Sequence, residues 1–272
     1  MIICDSVTTL KAESRNAAVL SGSHGGTYAA FLAAEAGVRA IILNDAGVGW
    51  ENAGIAGLAL LEGIGTPAAT VSYLSARIGD GEDMRRRGII SHANPCALGL
   101  GVEAGMRAIE ALGLLDARAA AASVKLESRK EPRAEVAADS IGLPVVVLVD
   151  SASQVNGQDA GRIVVSGSHG ALLGGRPETA LKVQAFAAIF NDAGVGIDSA
   201  GISRLPVLDQ RAISAATVGA WTARIGDGRS TFEDGIISHL NRTARRCGGD
   251  IGMTARDFVR IVQAAAAGRR HL

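Results

Sequence analysis

Apolar stretches alternate with clusters of glycine and polar residues along the whole chain. Short apolar runs that end at such clusters are typical of strands, whereas longer runs of small and apolar residues are typical of helices. In the first half, this pattern predicts five strands, at 2–4, 17–20, 38–43, 68–72 and 88–90. Between and after them it predicts three helices, at 27–36, at 53–64 and from the capping residue Asn94 to about Leu112.

The second half of the chain repeats the first. Ser-Gly-Ser-His-Gly at 21–25 recurs at 166–170, and Asn-Asp-Ala-Gly-Val-Gly at 44–49 recurs at 191–196. Residues 44–94 align with residues 191–241 without a gap, and 27 of these 51 positions are identical. A period of this length is too long for a solenoid, so we interpret it as two copies of one α/β unit. The second copy is predicted to run from a strand at 145–149 to a helix at 255–267.

Strands that alternate with helices indicate parallel sheets. We therefore predict an α/β fold of two internally duplicated, Rossmann-like, three-layer halves, each with a parallel sheet, related by a pseudo-twofold axis. The first repeat spans 1–115 and the second spans 145–272. An Ala-rich and charged segment at 116–144 connects them, and its residues 116–138 are predicted to form an exposed helix or a linker.

Identity between the copies is concentrated in the Gly, Ser, His, Asn, Asp and Arg clusters, whereas the helical stretches between them keep little beyond apolarity. A fold depends mainly on its apolar pattern and tolerates exchanges within it. Each cluster follows a predicted strand, and ligands of open α/β sheets bind at the carboxyl ends of the strands. The clusters therefore predict a chemical role at that edge, as one composite site or as two similar sites. The structural alternative is recent duplication combined with turn geometry, which explains the glycines better than the histidines.

Four of the five histidines lie inside the repeated motifs, namely His24, His92, His169 and His239. Histidine titrates near neutral pH and often serves as a general acid or base, although a histidine in a loop is more often structural. Their common position at predicted strand ends makes them candidates for proton transfer.

The glycine-rich turn at 21–26 lies between a predicted strand and a predicted helix. Backbone N–H groups of glycines and a helix N-terminus favour an anion or an oxyanion, and the alternative is a tight turn that requires glycine. The turn lacks the Gly-Lys-Ser/Thr of a phosphate loop and the spacing of a dinucleotide fingerprint, so NAD is not implied. Ser21, Ser23 or Ser91 could act as a nucleophile beside a histidine, although none lies in a Gly-x-Ser-x-Gly elbow.

Asn44 and Asp45 end an apolar strand, where the carboxylate could orient a histidine, bind a ligand or hold a metal. The alternative is an N-cap or an Asx-turn. Arg77 and Arg224 each precede Ile-Gly-Asp-Gly, and a guanidinium can clamp a carboxylate. The alternative is a salt bridge to the aspartate of the same loop.

No cofactor is predicted, and a catalytic divalent metal is an alternative. His24, Asp45, Asp80 and His92 are residue types that bind such metals. They come from separate loops, and neither His-x-His nor His-Glu-x-x-His occurs in the chain.

Two local resemblances involve the same motifs. The order strand, Ser-His-Gly-Gly, helix, strand, Asn-Asp-Ala-Gly resembles the arrangement of the catalytic His and Cys in caspase-like and legumain-like cysteine peptidases. Gly47 and Gly194 stand where that cysteine would be, so peptidase activity is not implied. Gly-Ser-His-Gly-Gly at 22–26 is also similar to the Gly-His-Gly-Gly turn of creatinine amidohydrolases, without their metal-ligand pattern.

Composition narrows the function classes further. The formal net charge is zero and aromatic residues make up 3%, which argues against nucleic-acid binding and stacking platforms. No apolar stretch reaches the roughly 18 residues of a membrane span, and residues 1–5 lack a basic segment followed by an apolar core, so we expect neither a membrane span nor a signal sequence. Three cysteines, an odd number, favour a reducing compartment. We expect a cytoplasmic protein with a small-molecule substrate, no nucleic-acid or membrane partner, and a possible homo-oligomeric state.

These observations predict an enzyme that acts on a small polar, carboxylate-bearing metabolite, with hydrolysis of an amide, cyclic amide or ester as the favoured reaction. The alternatives are an isomerase or lyase that uses the same groups, a non-catalytic anion or nucleotide sensor, and a structural role. The predicted catalytic residues are Ser23, His24, Asp45, Ser91, His92, His169, Asp192 and His239. The predicted substrate-binding residues are Ser21, Gly25, Gly26, Asn44, Arg77, Asp80, Ser166, Asn191, Arg224 and Asp227.

Overall fold

The computed structural model describes residues 1–121, 133–136 and 142–269. The chain divides into two compact units. The first unit comprises Met1–Lys130, Leu173–Gly175 and Ala193–Ala200, and the second comprises Glu131–Leu172, Arg176–Asp192 and Gly201–Leu272. Each unit contains one mostly parallel sheet flanked by helices, which confirms the predicted α/β class with two Rossmann-like halves.

The first unit has a five-stranded sheet whose spatial order follows the sequence. Its strands are β1 (Ile2–Cys4), β2 (Ala18–His24), β3 (Ala40–Asn44), β4 (Ala68–Val71) and β5 (Ile90–Ala93). The first four are parallel, and β5 is antiparallel to β4. The prediction of a strand at 88–90 that ends before Ser91 was wrong, because Ser91 and His92 lie inside β5. Since β5 runs antiparallel, its first residues nevertheless lie beside the carboxyl end of β4.

Five helices belong to the first unit among its described residues. They are α1 (Thr27–Ala36), α2 (Gly57–Gly63), α3 (Gly81–Arg87), α4 (Pro95–Leu98) and α5 (Ala108–Arg118). The prediction of α1 is confirmed, whereas the predicted helix from Asn94 to about Leu112 is wrong. Asn94 does cap α4, but Gly101 and Gly105, with φ of 87° and 89°, adopt left-handed conformations before α5 begins. Such conformations interrupt a right-handed helix.

Both faces of the first sheet are covered by apolar side chains. Leu20 and Ile42 pack with α5 on one face, and Val19 and Ile41 pack with α1 and α2 on the other. This alternation follows from the two-residue period of a strand, and burial of both faces explains why the strands are almost entirely apolar. The polar residues of the sheet are therefore confined to its strand ends and irregular positions.

The second unit has a six-stranded sheet of the same design. Its strands, in spatial order from β11 to β6, are β11 (Ile237–Leu240), β10 (Ser214–Val218), β9 (Ala187–Asn191), β8 (Ile163–His169), β7 (Val146–Val149) and β6 (Arg133–Val136). Its helices are α6 (Arg204–Gln210), α7 (Gly228–Glu233), α8 (Arg242–Arg246) and α9 (Ala255–Arg269). Among the described residues, no helix is long and apolar enough to cross a membrane.

Strand β6 corrects the prediction of an exposed helix or linker at 116–138. It adds an antiparallel edge to β7, and the Arg133 guanidinium pairs with the buried Asp159 carboxylate at 2.5 Å. Residues 122–132 and 137–138 of this predicted segment lie outside the described residues. The sequence does not single out this strand, because Arg133 and Glu135 directly follow the charged residues of 125–131.

The two copies differ most at the position of α1. The second copy has short 3₁₀ turns at Leu173–Gly175 and Pro177–Thr179 in place of that helix. Arg204 stands where the first copy has Gly57. Its buried guanidinium donates hydrogen bonds to the carbonyls of Ala171 (2.8 Å) and Ala180 (2.7 Å), and burial lowers its pKa to about 10.

Candidate functional site

The Ser-Gly-Ser-His motif forms the last part of β2, not a turn after it as the sequence predicted. The pairing of β2 with β3 is irregular here, because Leu20 opposes Ile42 while His24 opposes Asn44. Three residues of β2 thus face one residue of β3, as in a β-bulge, a feature that re-aims side chains next to functional sites. Gly22 is needed here because a Cβ at this position would lie 2.6 Å from the Asp80 backbone nitrogen.

The two serines of this motif hold backbone groups. The Ser21 hydroxyl accepts a hydrogen bond from the Ser23 N–H at 3.3 Å, and the Ser23 hydroxyl accepts one from the Val7 N–H at 3.0 Å. In the second unit, the Ser166 hydroxyl accepts from the Ser168 N–H at 3.1 Å. These contacts give the serines a structural role that requires no ligand.

His24 is buried and neutral. Its Nδ1 accepts a hydrogen bond from the Gly26 N–H at 3.1 Å, and burial lowers its pKa to about 4. With Nδ1 acting as an acceptor, the ring proton resides on Nε2, which is then a hydrogen-bond donor. The same contact occurs in the second unit, where His169 Nδ1 accepts from the Ala171 N–H at 3.3 Å.

The two glycines after His24 link it to β3, to α1 and to Thr70. Gly25 donates its N–H to the Asn44 carbonyl at 2.7 Å, so the amides of both Gly25 and Gly26 are engaged within the protein. Gly26 caps α1, whose first-turn N–H groups have no intrahelical partners and carry the positive end of the helix dipole. A Cβ on Gly25 would lie 2.7 Å from Thr70 Cγ2, so this turn packs directly on Thr70.

Asn44 and Asp45 shape the loop after β3. Asn44 Oδ1 accepts from the Ala46 N–H at 2.9 Å, and Asp45 Oδ1 accepts from the N–H groups of Gly47 (3.2 Å) and Tyr73 (2.9 Å). This is the Asx-turn that the sequence offered as an alternative. In the second unit, Asn191 Nδ2 donates to the Ala223 carbonyl at 3.1 Å, as Asn44 Nδ2 does to the Ala76 carbonyl at 3.4 Å, and Asp192 Oδ1 accepts from the Ala220 N–H at 2.9 Å.

The loop at 46–49 is conformationally strained. Ala46, Gly47, Val48 and Gly49 have φ values of 50°, 74°, 62° and 70°, all in the left-handed region. A β-branched residue such as Val48 is rarely found there, and residues held in this way concentrate at functional sites. The equivalent loop at 193–196 has the same signs of φ at all its residues, with 64° at Val195.

The main chemical feature of the first unit is a Thr-Ser-His cluster of Thr70, Ser91 and His92. Adjacent residues of a regular strand point to opposite faces of the sheet. In β5 the register shifts, because Thr70 opposes His92 while Val71 opposes Ile90, so Ser91 is an extra, bulged residue. The bulge brings Ser91 Oγ within 3.1 Å of His92 Nδ1 and within 3.0 Å of Thr70 Oγ1.

The second unit has an equivalent Thr-Ser-His cluster of Thr217, Ser238 and His239. Thr217 opposes His239 while Val218 opposes Ile237, so Ser238 occupies the bulge. Ser238 Oγ lies 3.2 Å from His239 Nδ1 and 3.1 Å from Thr217 Oγ1. Gly170 links this cluster to the His169 turn, since a Cβ on Gly170 would lie 2.9 Å from Thr217 Cγ2.

The predicted carboxylate clamp at Arg77 is engaged within the first unit. Asp83, 1% exposed, receives a 3.1 Å contact from Arg77 Nη2 and also pairs with Arg86 and Arg87. Arg77 Nε lies 3.6 Å from Asp80, which caps α3 by accepting from the Asp83 N–H at 2.8 Å. Burial by itself raises the pKa of the Asp83 carboxyl, but the hydrogen bonds from the Arg77 backbone and from the guanidinium groups of Arg77 and Arg87 hold it below its usual value.

The corresponding arginine of the second unit has a more exposed setting. Ser230 replaces Asp83, and Arg224 lies 3.4 Å from Asp227 and 3.7 Å from Asp234. Asp227 caps α7 as Asp80 caps α3. Substrate binding by Arg77 or Arg224 therefore stays a prediction, with the salt-bridge alternative present in both units.

The structure thus brings together the His24 turn and the Thr-Ser-His cluster at one edge, while Arg77 and Asp80 belong to an ion-pair network. Thr70, Thr217 and Ser238 were not among the site residues predicted from the sequence. The available signal was a single polar residue in an otherwise apolar strand, since Ala-Ala-Thr-Val occurs at 68–71 and again at 215–218. Both threonines are completely buried, so their hydroxyls require partners.

Within the described part of the chain, no group of three or more His, Cys, Asp or Glu side chains is arranged to hold a metal ion. No family model, no curated protein and no solved structure matches this chain. The chemistry of the site is therefore inferred from its own residues.

Proposed function

We propose that this protein is an enzyme that hydrolyses an amide, cyclic amide or ester bond of a small polar metabolite by general acid–base catalysis in the first unit. The observation that carries the proposal is the bulged Thr-Ser-His cluster beside the His24 turn. β-bulges are over-represented next to active sites, where they re-aim a side chain, and this bulge turns a histidine and two hydroxyls toward one another.

His92 is the proposed general base. Its Nδ1 is held by a hydroxyl, which leaves Nε2 for the reacting groups. Nε2 takes a proton from water as the water oxygen bonds to the substrate carbonyl carbon, and the carbonyl π electrons move to its oxygen. When the resulting oxyanion collapses, the bond to the amine or alcohol breaks, and the leaving group takes the proton from His92.

His24 and the N-terminus of α1 are proposed to hold the oxyanion. A neutral imidazole can polarise a carbonyl by donating a hydrogen bond without carrying a charge itself. The pKa of about 4 keeps His24 in that form at neutral pH. The positive end of the α1 helix dipole adds to this field, whereas the amides of Gly25 and Gly26, which the sequence suggested for this role, are engaged within the protein.

The setting proposed for this reaction is a reducing, cytoplasmic one with a small-molecule substrate. Its support is that none of the three cysteines, Cys4, Cys96 and Cys247, is part of a disulfide. A carboxylate on the substrate and a homo-oligomeric state stay predictions. No cofactor is part of the proposed steps.

The test begins with a thermal-shift screen of small amides, lactams and esters, because a specific ligand stabilises the folded form. Hits are then assayed for hydrolysis with the wild type, His92→Gln and the matched second-unit variant His239→Gln. We expect His92→Gln to lower kcat by about 10²-fold or more while the ligand-induced shift persists. His239→Gln should keep the wild-type kcat.

Three results would overturn the proposal. Ligands that bind but are never converted, with binding lost in His24→Asn, would identify a sensor. Conversion without hydrolysis would favour an isomerase or lyase. Full turnover by His92→Gln would exclude this histidine as the base.

A further inference from the structure

We propose that Ser91 is a positioning residue that fixes the proton of His92 on Nδ1, and that it is not a nucleophile. The inference deepens the proposed function and rests on it for its catalytic meaning. Its structural content, the tautomer of one imidazole, is measurable without any substrate.

The first step concerns the single proton of the Ser91 hydroxyl. Ser91 Oγ lies 3.2 Å from the Thr70 carbonyl oxygen, in a geometry in which the hydroxyl donates. A carbonyl can only accept, so this contact has only one possible direction. With its proton directed there, Ser91 Oγ offers only lone pairs to its other neighbours.

The second step concerns the Thr70 hydroxyl, which is completely buried. A buried hydroxyl donor needs an acceptor, and Ser91 Oγ at 3.0 Å is closer than His92 Nδ1 at 3.5 Å. Thr70 therefore donates to Ser91. This contact fixes Ser91 as an acceptor and holds it in the bulge.

The third step fixes the imidazole. His92 Nδ1 lies 3.1 Å from Ser91 Oγ, and two acceptors cannot share a hydrogen bond without a proton. Nδ1 must then carry the proton and donate to Ser91. Nε2 is left with its lone pair, which is the form that a general base requires.

The second unit repeats the same arrangement. Ser238 Oγ donates to the Thr217 carbonyl at 3.2 Å and lies 3.1 Å from Thr217 Oγ1 and 3.2 Å from His239 Nδ1. All three residues are retained even though the neighbouring helix α1 is not. Both copies have therefore kept the complete set of hydrogen bonds among these three residues.

This arrangement opposes a serine nucleophile. A nucleophilic hydroxyl must hand its proton to the base, whereas the Ser91 proton is directed to a backbone carbonyl and its oxygen is surrounded by three partners. Water is then the attacking group, and no covalent acyl-enzyme forms.

The test reads the tautomer of His92 by long-range ¹H–¹⁵N NMR of the full chain with ¹⁵N-labelled histidine, at pH 8. The His92 signals are assigned by their loss in His92→Gln. We expect the Nδ1–H form to predominate in the wild type and in Thr70→Ser, which keeps the hydroxyl. Ser91→Ala and Thr70→Val should shift the population toward Nε2–H, and the matched variant Ser238→Ala should leave His92 unchanged.

A predominant Nε2–H form in the wild type would overturn the inference, as would an unchanged tautomer in Ser91→Ala. A fluorophosphonate probe supplies a second measurement, because it labels nucleophilic serines. We expect no adduct on Ser91 by peptide mass, and an adduct there would overturn the inference. Full turnover by His92→Gln would instead refute the proposed function, while the tautomer result would stand.

Discussion

Lowering the pH from 7 to 5 should destabilise the first unit through His24. Burial lowers the pKa of this imidazole to about 4, from an ordinary value of 6.5. Between these two values the unfolded chain binds the proton and the folded chain does not. The stability that the neutral His24 contributes is therefore complete above pH 6.5 and is lost as the pH falls toward 4.

The magnitude follows from the size of this pKa shift. One unit of difference corresponds to about 1.4 kcal/mol, so the full loss is about 3 kcal/mol below pH 4. At pH 5, where most of the interval has been crossed, the expected loss is about 2 kcal/mol. An effect of this size is a substantial part of the 5–15 kcal/mol, roughly, that stabilises a typical domain.

The matched variant is His24→Asn, because an Asn oxygen can still accept the Gly26 N–H in an Asx-turn but does not titrate. Both proteins also carry Trp221→Phe. The chain has two tryptophans, so Trp50 of the first unit then becomes the only fluorescent reporter. Urea unfolding of both proteins at pH 7 and pH 5 gives four free energies of unfolding.

All carboxyl groups are the same in both proteins. Subtracting the pH-dependent loss of unfolding free energy in the His24→Asn protein from the loss in the protein with His24 therefore isolates the contribution of His24. The protein with His24 should lose about 2 kcal/mol more than the His24→Asn protein between pH 7 and pH 5. Equal losses would refute the reasoning, because an imidazole that reaches solvent titrates alike in the folded and unfolded chain.

Four further substitutions test other parts of the structure. Asn94→Ala should lower the free energy of unfolding by about 3 kcal/mol, because it leaves four buried backbone groups without their hydrogen-bond partner. Asn241→Ala should lower the free energy of unfolding to a similar extent, and urea titrations measure both values. Asp83→Asn should lower the thermal midpoint at neutral pH, because the Asp83 carboxylate forms ion pairs with three arginines. The difference in midpoint from the wild type should shrink at low pH, where the Asp83 carboxylate of the wild type becomes protonated. A difference that stays constant with pH would contradict this expectation. Ala46→Gly should raise stability by up to about 1 kcal/mol in the same melts, since φ is 50° there, and a lower midpoint would show that the loop is unstrained.

The fold class was accessible from the sequence because it depends on pattern. The apolar runs at 18–20 and 40–43 alternate their side chains between two buried faces, and the small residues of α1 form the helix that the sequence predicted. The duplication was also predictable from the sequence, because identical residues in the two halves can be aligned directly. The antiparallel direction of β5 was not predictable in this way, because a short apolar run does not encode its direction.

The site was predictable only in part. His24 and His92 were identified by residue type, but Ser91 and His92 were expected after a strand, and a one-residue bulge cannot be read from periodicity. Thr70 was missed because a lone hydroxyl in an apolar strand looks like ordinary strand composition. Arg77 was paired with Asp80 as an alternative, yet its closer contact is with Asp83, which the first turn of α3 brings within 3.1 Å.

The contrast between Gly57 and Arg204 constrains how the two copies diverged. A Cβ on Gly57 would lie 2.6 Å from the Ala30 Cβ, so no arginine could occupy that position while α1 is packed there. The helix and the arginine exclude each other, whichever of them the ancestor possessed. Replacing Gly57 by arginine in the first copy would therefore require the segment of α1 to be rebuilt as well, so this residue and the helix form one structural choice in each copy.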